Sequence, residues 1–253
     1  MKTYEDMTKW IDRREEILHH GQTIGFVPTM GALHAGHVSL IKNARAECDF
    51  VVVSIFVNPT QFNSKEDLES YPRNLSADLA LLDSLEVDAV LTPTEAEIYS
   101  DKFRFKITET QHSELLCGAY RPGHFTGVLT VVAKLLGLTQ AHRCYMGEKD
   151  YQQYLLVHDM VHALNIRSEI IACPTAREES GLAMSSRNAR LSSDGRNKAA
   201  LIYKYISEAT SCKEASDKLA ENGFDVDYVE EHWGRRFVAA SIENVRLIDN
   251  VKI

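Results

Sequence analysis

TIGFVPTMGALHAGHVSLIKNARAE, residues 23–47, decides the fold. Residues 23–27 form an apolar run that reads as a buried strand, ended by Pro28. A turn with glycines follows, and from Gly36 the segment reads as a helix. The same alternation continues in both directions. Residues 4–19 read as an amphipathic helix, and 49–57 form a β-branched and aromatic run, the pattern of a strand buried on both faces. Leucine spacing makes 75–85 helical, with Asn74 or Ser76 as cap, and 87–91 reads as a short strand. Helices are expected over 124–138 and 150–163, and strands over 144–146 and 167–172. Such alternation predicts an α/β fold, a Rossmann-like doubly wound parallel sheet with helices on both faces. Ligands bind such sheets at the carboxyl ends of the strands, at the switch point. The loops 29–37, 58–61, 147–153 and 174–187 each follow an expected strand, so four loops can converge on one crevice.

After Arg187 the pattern changes. Residues 193–209 and 213–221 read as helices, and 226–231, 236–240 and 245–249 as strands. Helices followed by strands indicate a small α+β domain over 176–253, behind a larger domain over 1–175. The net charge of −8 excludes general nucleic-acid binding, which needs a basic face, but leaves room for a local basic pocket. No uncharged apolar run approaches the roughly 18 residues of a membrane span. The opening residues, MKTYEDMTKW, lack the basic-then-apolar pattern of a signal peptide. The five cysteines are odd in number and widely spread, so neither a disulfide framework nor a thiolate zinc site is expected. The expected setting is the cytoplasm, with reduced thiols.

Five short stretches carry chemistry. In residues 28–37, glycines allow close backbone approach and a helix start favours anions. His34 and His37, three apart, would both face such an anion. Taken alone, this is a phosphate site, a structural loop or half of a metal site, and its spacing is not the dinucleotide fingerprint. In residues 147–153, Lys149 offers a cation, Asp150 a helix cap or a ribose acceptor, and Gln153 a polar contact. A plain helix start reads equally from these residues. In residues 181–188, Ser185, Ser186 and Arg187 suit either a clamp on phosphate oxygens or a polar linker. Residues 58–63 are rich in amides that could hold hydroxyls and carboxylates, or mark a turn. In residues 121–128, Arg121 could pair with an acidic group, or the stretch could be a capping turn. The acidic pair Glu178 and Glu179 reads as solvated.

Together MGALHAGH, NPTQF, RPGHFTGVLTVVAKL, GEKDYQQ and GLAMSSRN resemble the pantoate–β-alanine ligase family, within the HxGH adenylyltransferase superfamily. The likeness runs from Pro28 to about Asn188, and Arg246 to Asn250 also fits. It implies an enzyme of pantothenate biosynthesis acting in two steps. Pantoate carboxylate attacks the α-phosphorus of ATP, releasing pyrophosphate, and β-alanine then attacks the pantoyl adenylate, releasing AMP. The resemblance implies catalytic roles for His37, His34, Lys149 and Arg187. It implies that Met30, Gly31, Ala32, Leu33, His34, Ala35, Gly36 and His37 line the ATP site. Gly147, Glu148, Lys149, Asp150, Ala176, Met184, Ser185, Ser186 and Arg187 would complete it. Gln61 and Gln153 would hold pantoate, with Gln61 also bordering β-alanine, and Asn58, Tyr71 and Arg121 would support them. Mg²⁺ would neutralise the polyphosphate without a nameable protein ligand, and a homodimer is the family expectation. Met146, Ser180 and Ala176 stand where Phe, Asp and Val are more usual, which should tune the ATP pocket, and the C-terminal domain looks short.

Other readings make different demands. A transferase acting on a phosphorylated substrate would need more cations in residues 58–63, a nucleotide sensor would lack His37, Lys149 or Arg187, and a His-x-x-His hydrolase would need a third ligand.

Overall fold

The computed structural model describes all residues, Met1–Ile253. In chain order it runs β1 (Lys2–Tyr4), α1 (Met7–His19), β2 (Ile24–Thr29), α2 (Ala35–Glu47) and β3 (Phe50–Ile55). Two helices, α3 (Lys65–Ser70) and α4 (Leu75–Ser84), lead to β4 (Ala89–Leu91). Two single turns, α5 (Glu95–Ile98) and α6 (Cys117–Tyr120), precede the long α7 (His124–Thr139). Then come β5 (Arg143–Gly147), α8 (Tyr151–Ala163) and β6 (Glu169–Cys173). Three helices, α9 (Ser193–Ala199), α10 (Leu201–Glu208) and α11 (Cys212–Glu221), precede β7 (Asp225–His232), β8 (Arg235–Ile242) and β9 (Val245–Lys252).

The first six strands form one parallel sheet in the order β1-β4-β3-β2-β5-β6. Its central strands are buried on both sides, as their uninterrupted apolar runs predict. Phe26 and Val52 face the core that holds Trp10, Leu129 and Leu136, while Val27, Val51 and Val53 face the core beneath Ile41 and Ala44. The order reverses between β2 and β5. These two strands pair only through Gly25–Arg143 and Phe26–Cys144, so their carboxyl ends part. Pro28 does not end β2 as the sequence suggests. It lies in the strand, past the last pairing with β5, on an edge where its missing N–H can be tolerated.

Other expected boundaries also shift. The chain begins with the edge strand β1, and Asp6 caps α1 by accepting the Thr8 N–H at 2.9 Å, so the helix starts at Met7. The polar stretch 58–73 holds a helix, α3, capped by Ser64. The expected helix over 193–209 is two, meeting at Ala200.

The last three strands form an antiparallel meander, β7-β8-β9. Alternate side chains divide its faces. Tyr228, Phe237 and Ala239 join the main core, while Val229, Val238 and Ala240 pack with Ile202, Ile206 and Leu219 of the C-terminal helices. The small sheet therefore forms a wall of the crevice above β2 and β5.

Candidate active site

The turn after β2 is built before any ligand arrives. Gly31 and Ala32 adopt positive φ, +78° and +50°. A Cβ at Gly31 would lie 2.9 Å from Asp78 Oδ2, so the position requires glycine. Asp78, on α4, is 5 % exposed and accepts the N–H groups of Ala32 (2.9 Å) and Leu33 (2.8 Å). Gly31 N–H donates to Thr29 Oγ1 at 3.2 Å. These three turn amides are thus already satisfied within the chain, ahead of the start of α2 at Ala35. Gly31, Ala32, Leu33 and Ala35 lie off the cavity, while Met30, His34, Gly36 and His37 line it.

His34 is the N-cap of α2. Its Nδ1 accepts the Gly36 N–H at 3.1 Å, and His37 Nδ1 accepts the His34 N–H at 3.3 Å. With each Nδ1 acting as acceptor, the proton of each neutral ring sits on Nε2. The rings lie 4.1 Å apart between centroids. Burial lowers the pKa of His34 to about 4, helped by the charge of Lys149, and that of His37 to about 3, helped by His34. Both are neutral Nε2–H donors at neutral pH.

A 3-10 turn, Glu148–Asp150, follows β5 on the other side of the gap. Lys149 lines the cavity with its Nζ 3.6 Å from Asp150 Oδ1. Asp150 makes no side-chain cap, contrary to one reading of the sequence. Glu148 turns away from the cavity and pairs with Arg235 at 2.7 Å, so its expected ATP contact is not formed by its side chain. The two glutamines of α8 divide. Gln152 is buried, donating to the carbonyls of His112 and Leu115 and accepting the Cys117 N–H. Both border the cavity, but only Gln153 has an amide not spent on the backbone of residues 112–117.

The third wall is the amide loop. Asn58 is 1 % exposed and fully engaged. It accepts from Tyr99 Oη at 2.7 Å and donates to Gln61 Oε1 at 3.0 Å. It therefore orients Gln61, whose Nε2 lies 3.2 Å from Met30 Sδ. Arg121 meets no carboxylate. Its guanidinium touches His124 Nε2 and the Gln61 carbonyl, each at 3.2 Å, and burial lowers its pKa to about 10. His124 Nδ1 also donates to the Gln61 carbonyl, at 2.8 Å. Gly127 lets α7 lie against this loop, because a Cβ there would sit 2.4 Å from the Thr60 carbonyl oxygen.

A strap, residues 174–190, closes the fourth side. Ala176 accepts the Met184 N–H through its carbonyl at 2.9 Å. Arg177 pairs with Asp249 at 2.6 Å. Glu178 is not solvated as expected, since it pairs with Arg196 at 2.8 Å and accepts from Asn188. Ser185 accepts the Arg187 N–H, and Ser186 Oγ reaches Tyr71 Oη at 3.3 Å. Arg187 and Arg190 both reach Asp67 of α3, at 3.0 and 3.4 Å. Met146 lines the cavity, whereas Ser180 is on an exposed turn away from it and does not shape the pocket.

These walls enclose a cavity of about 900 Å³, which Lys149, Arg121, Arg187 and Arg246 line. No group of three or more His, Cys, Asp or Glu is placed to hold a metal ion. No helix is long and apolar enough to cross a membrane. The sequence reading missed Asp78, Asp67 and Gly127. Asp78 carried a signal, since it falls on the same face of α4 as the fully buried Leu82, and a carboxylate there needs a partner.

A family model described as pantoate-beta-alanine ligase matches residues 1–252. The pantothenate synthetase of Bdellovibrio bacteriovorus is 52% identical over 231 residues, covering 91% of this chain and 92% of that one. That of Legionella pneumophila is 46% identical over 250 residues, with 99% of each chain covered, so the C-terminal part is not shortened relative to it. A crystal structure of pantoate-beta-alanine ligase from Francisella tularensis, complexed with beta-gamma ATP and beta-alanine, has a TM-score of 0.95 at 43% identity, covering 100% of this chain and 97% of that one. Pantothenate synthetase from Thermus thermophilus superposes with a TM-score of 0.89 at 40% identity, covering 100% of this chain and 99% of that one.

Proposed function

The chain belongs to the pantoate–β-alanine ligase family, and we propose how its side chains divide the work of that reaction. The reaction joins pantoate to β-alanine at the expense of ATP, through a pantoyl adenylate, and releases AMP and pyrophosphate. One observation carries the proposal. Two histidines locked as Nε2–H donors stand beside Lys149 at the parted ends of β2 and β5, in a cavity that Gln61 and Gln153 also line.

A carboxylate is ionised at neutral pH and needs no base to attack phosphorus. The site therefore has to place the reactants and stabilise charge. His34 and His37 donate to phosphate oxygens. His37 acts as a donor to the departing pyrophosphate rather than as a charged acid, because burial keeps it neutral. Lys149 and Arg187 supply the cations, and Ser185, Ser186 and Met184 close over the phosphates. The Ala176 N–H is offered to the purine edge. Gln153 and Gln61 hold pantoate, and Gln61 borders the amine substrate. Arg121, with no carboxylate partner of its own, is the guanidinium left for a substrate carboxylate. Magnesium would accompany ATP and neutralise the charge of its phosphates. Residues 1–175 form the nucleotide- and pantoate-binding part and 176–253 the small closing part, in a cytoplasmic homodimer.

The test is release of AMP and pyrophosphate from ATP and Mg²⁺. AMP formation that requires both pantoate and β-alanine supports the proposal. ATP binding in a thermal-shift assay without AMP formation would overturn it.

A further inference from the structure

The turn that carries Lys149 is held from the far end of the chain. Glu148, Lys149 and Asp150 form a single 3-10 turn, and two of its carbonyls take partners from far along the chain. Asn250, on β9, supplies them. Its Nδ2 donates to the carbonyls of Glu148 at 2.9 Å and Lys149 at 3.0 Å, which occupies both amide hydrogens. Its Oδ1 accepts from Arg235 Nη1 at 2.7 Å. Arg235, on β8, then grips the same turn, pairing with Glu148 Oε1 at 2.7 Å and lying 3.9 Å over the ring of Tyr151. Asn250 and Arg235 are 3 % and 4 % exposed. Two buried polar side chains of the small sheet therefore fix the backbone on both sides of one lysine.

We propose that Asn250, backed by Arg235, is a positioning residue that sets the direction of the Lys149 side chain into the cavity. The proposal rests on the phosphate role given to Lys149 above. The amide is chemically specific. Only a group with two donors and one acceptor satisfies two successive carbonyls and a guanidinium at once. A carboxylate of the same shape would set oxygen against both carbonyls. The neighbouring Asp249 pairs with Arg177 of the strap, so one dipeptide of β9 reaches two walls of the cavity, and the Lys149 turn is the one Asn250 holds.

The experiment is a double-mutant cycle on the full chain, with kcat and the KM for ATP and for pantoate as readouts. Asn250→Ala should raise the KM for ATP and lower kcat, about tenfold in kcat/KM for ATP, and leave the KM for pantoate nearly unchanged. On a Lys149→Ala background the same change should cost less than about twofold, because the side chain it positions is gone. Asn250→Ser, which keeps one donor, should fall between wild type and Asn250→Ala and serves if the alanine variant does not fold. Equal losses on both backgrounds mean a merely structural role and overturn the proposal. A folded Asn250 variant with wild-type kinetics overturns it too. If Lys149→Ala itself is silent, the phosphate role of Lys149 fails first, and the positioning role falls with it.

Discussion

His34 and His37 pack ring against ring and share one hydrogen bond. The His34 backbone N–H donates to His37 Nδ1 at 3.3 Å, and the two rings lie 4.1 Å apart. The helix start thus fixes which nitrogen of each ring carries its proton. Burial puts the pKa values at about 4 and about 3, below the ordinary histidine value of about 6.5. Between those values the unfolded chain binds more protons than the folded one, so stability rises with pH there. It is fully present above about pH 6.5 and is lost as the pH falls toward 4. The melting temperature of the free protein should therefore drop between pH 7 and pH 5. A triphosphate beside the rings favours their charged forms. ATP binding near pH 5 should take up protons, seen by calorimetry in buffers of different ionisation enthalpy, while near neutral pH the rings stay uncharged donors. Uptake no greater than that of His37→Gln would count against the pair as phosphate contacts.

Arg187 is held by Asp67 across the mouth of the cavity, and the phosphates of ATP would compete for the same guanidinium. Asp67→Asn should free it. An ion pair of this kind contributes on the order of 0.5–1 kcal/mol, which corresponds to a two- to fivefold fall in the KM for ATP. The melting temperature should change little. A rise in that KM would mean that Asp67 holds Arg187 in its working position instead.

Gly127 sets how closely α7 approaches the amide loop. Gly127→Ala would place a methyl group 2.4 Å from the Thr60 carbonyl and 2.8 Å from the Gln61 nitrogen, both backbone atoms. The loop must move, at a cost of about 1–3 kcal/mol. Because Gln61 moves with it, the KM for pantoate should rise by about tenfold or more. Wild-type kinetics in a folded variant would separate Gln61 from pantoate binding.

The parallel sheet was legible because strands buried on both faces have no polar alternation to confuse them, as in Phe50–Ile55. The edge strand Lys2–Tyr4 was not, since three residues show no period. In the site, side chains that meet the cavity directly, such as His34, Lys149 and Arg187, announce themselves by type and by place after a strand. Their supports do not. Asp78 acts on a turn 46 residues away, Asp67 on an arginine 120 away and Asn250 on a carbonyl 101 away. Asp67 and Asn250 read locally as surface or capping residues, Asp78 betrays its burial but not its partner, and only the folded chain supplies the partner of each. Glu148 failed for the opposite reason, because a side chain beside the motif lysine is drawn off by an arginine of the last sheet.

Gln152 and Gln153 are adjacent glutamines with opposite duties, and they offer the sharpest comparison. Gln152 makes three hydrogen bonds to the backbone of residues 112–117 and is 5 % exposed. Removing it leaves the buried Cys117 N–H without its partner, at about 1–3 kcal/mol, while the His112 and Leu115 carbonyls keep the backbone donors Leu115 and Gly118. Gln152→Ala should therefore lower the melting temperature by several degrees. Gln153 lines the cavity and is only partly buried. Gln153→Ala should leave the melting temperature within about a degree of wild type, since it lies among substitutions of roughly 0.5 kcal/mol or less. Its effect should fall on the KM for pantoate, raised by about tenfold through one lost polar contact, with a smaller change in the KM for ATP. Equal effects on both substrates would remove Gln153 from the pantoate site and leave Gln61 alone to hold that substrate.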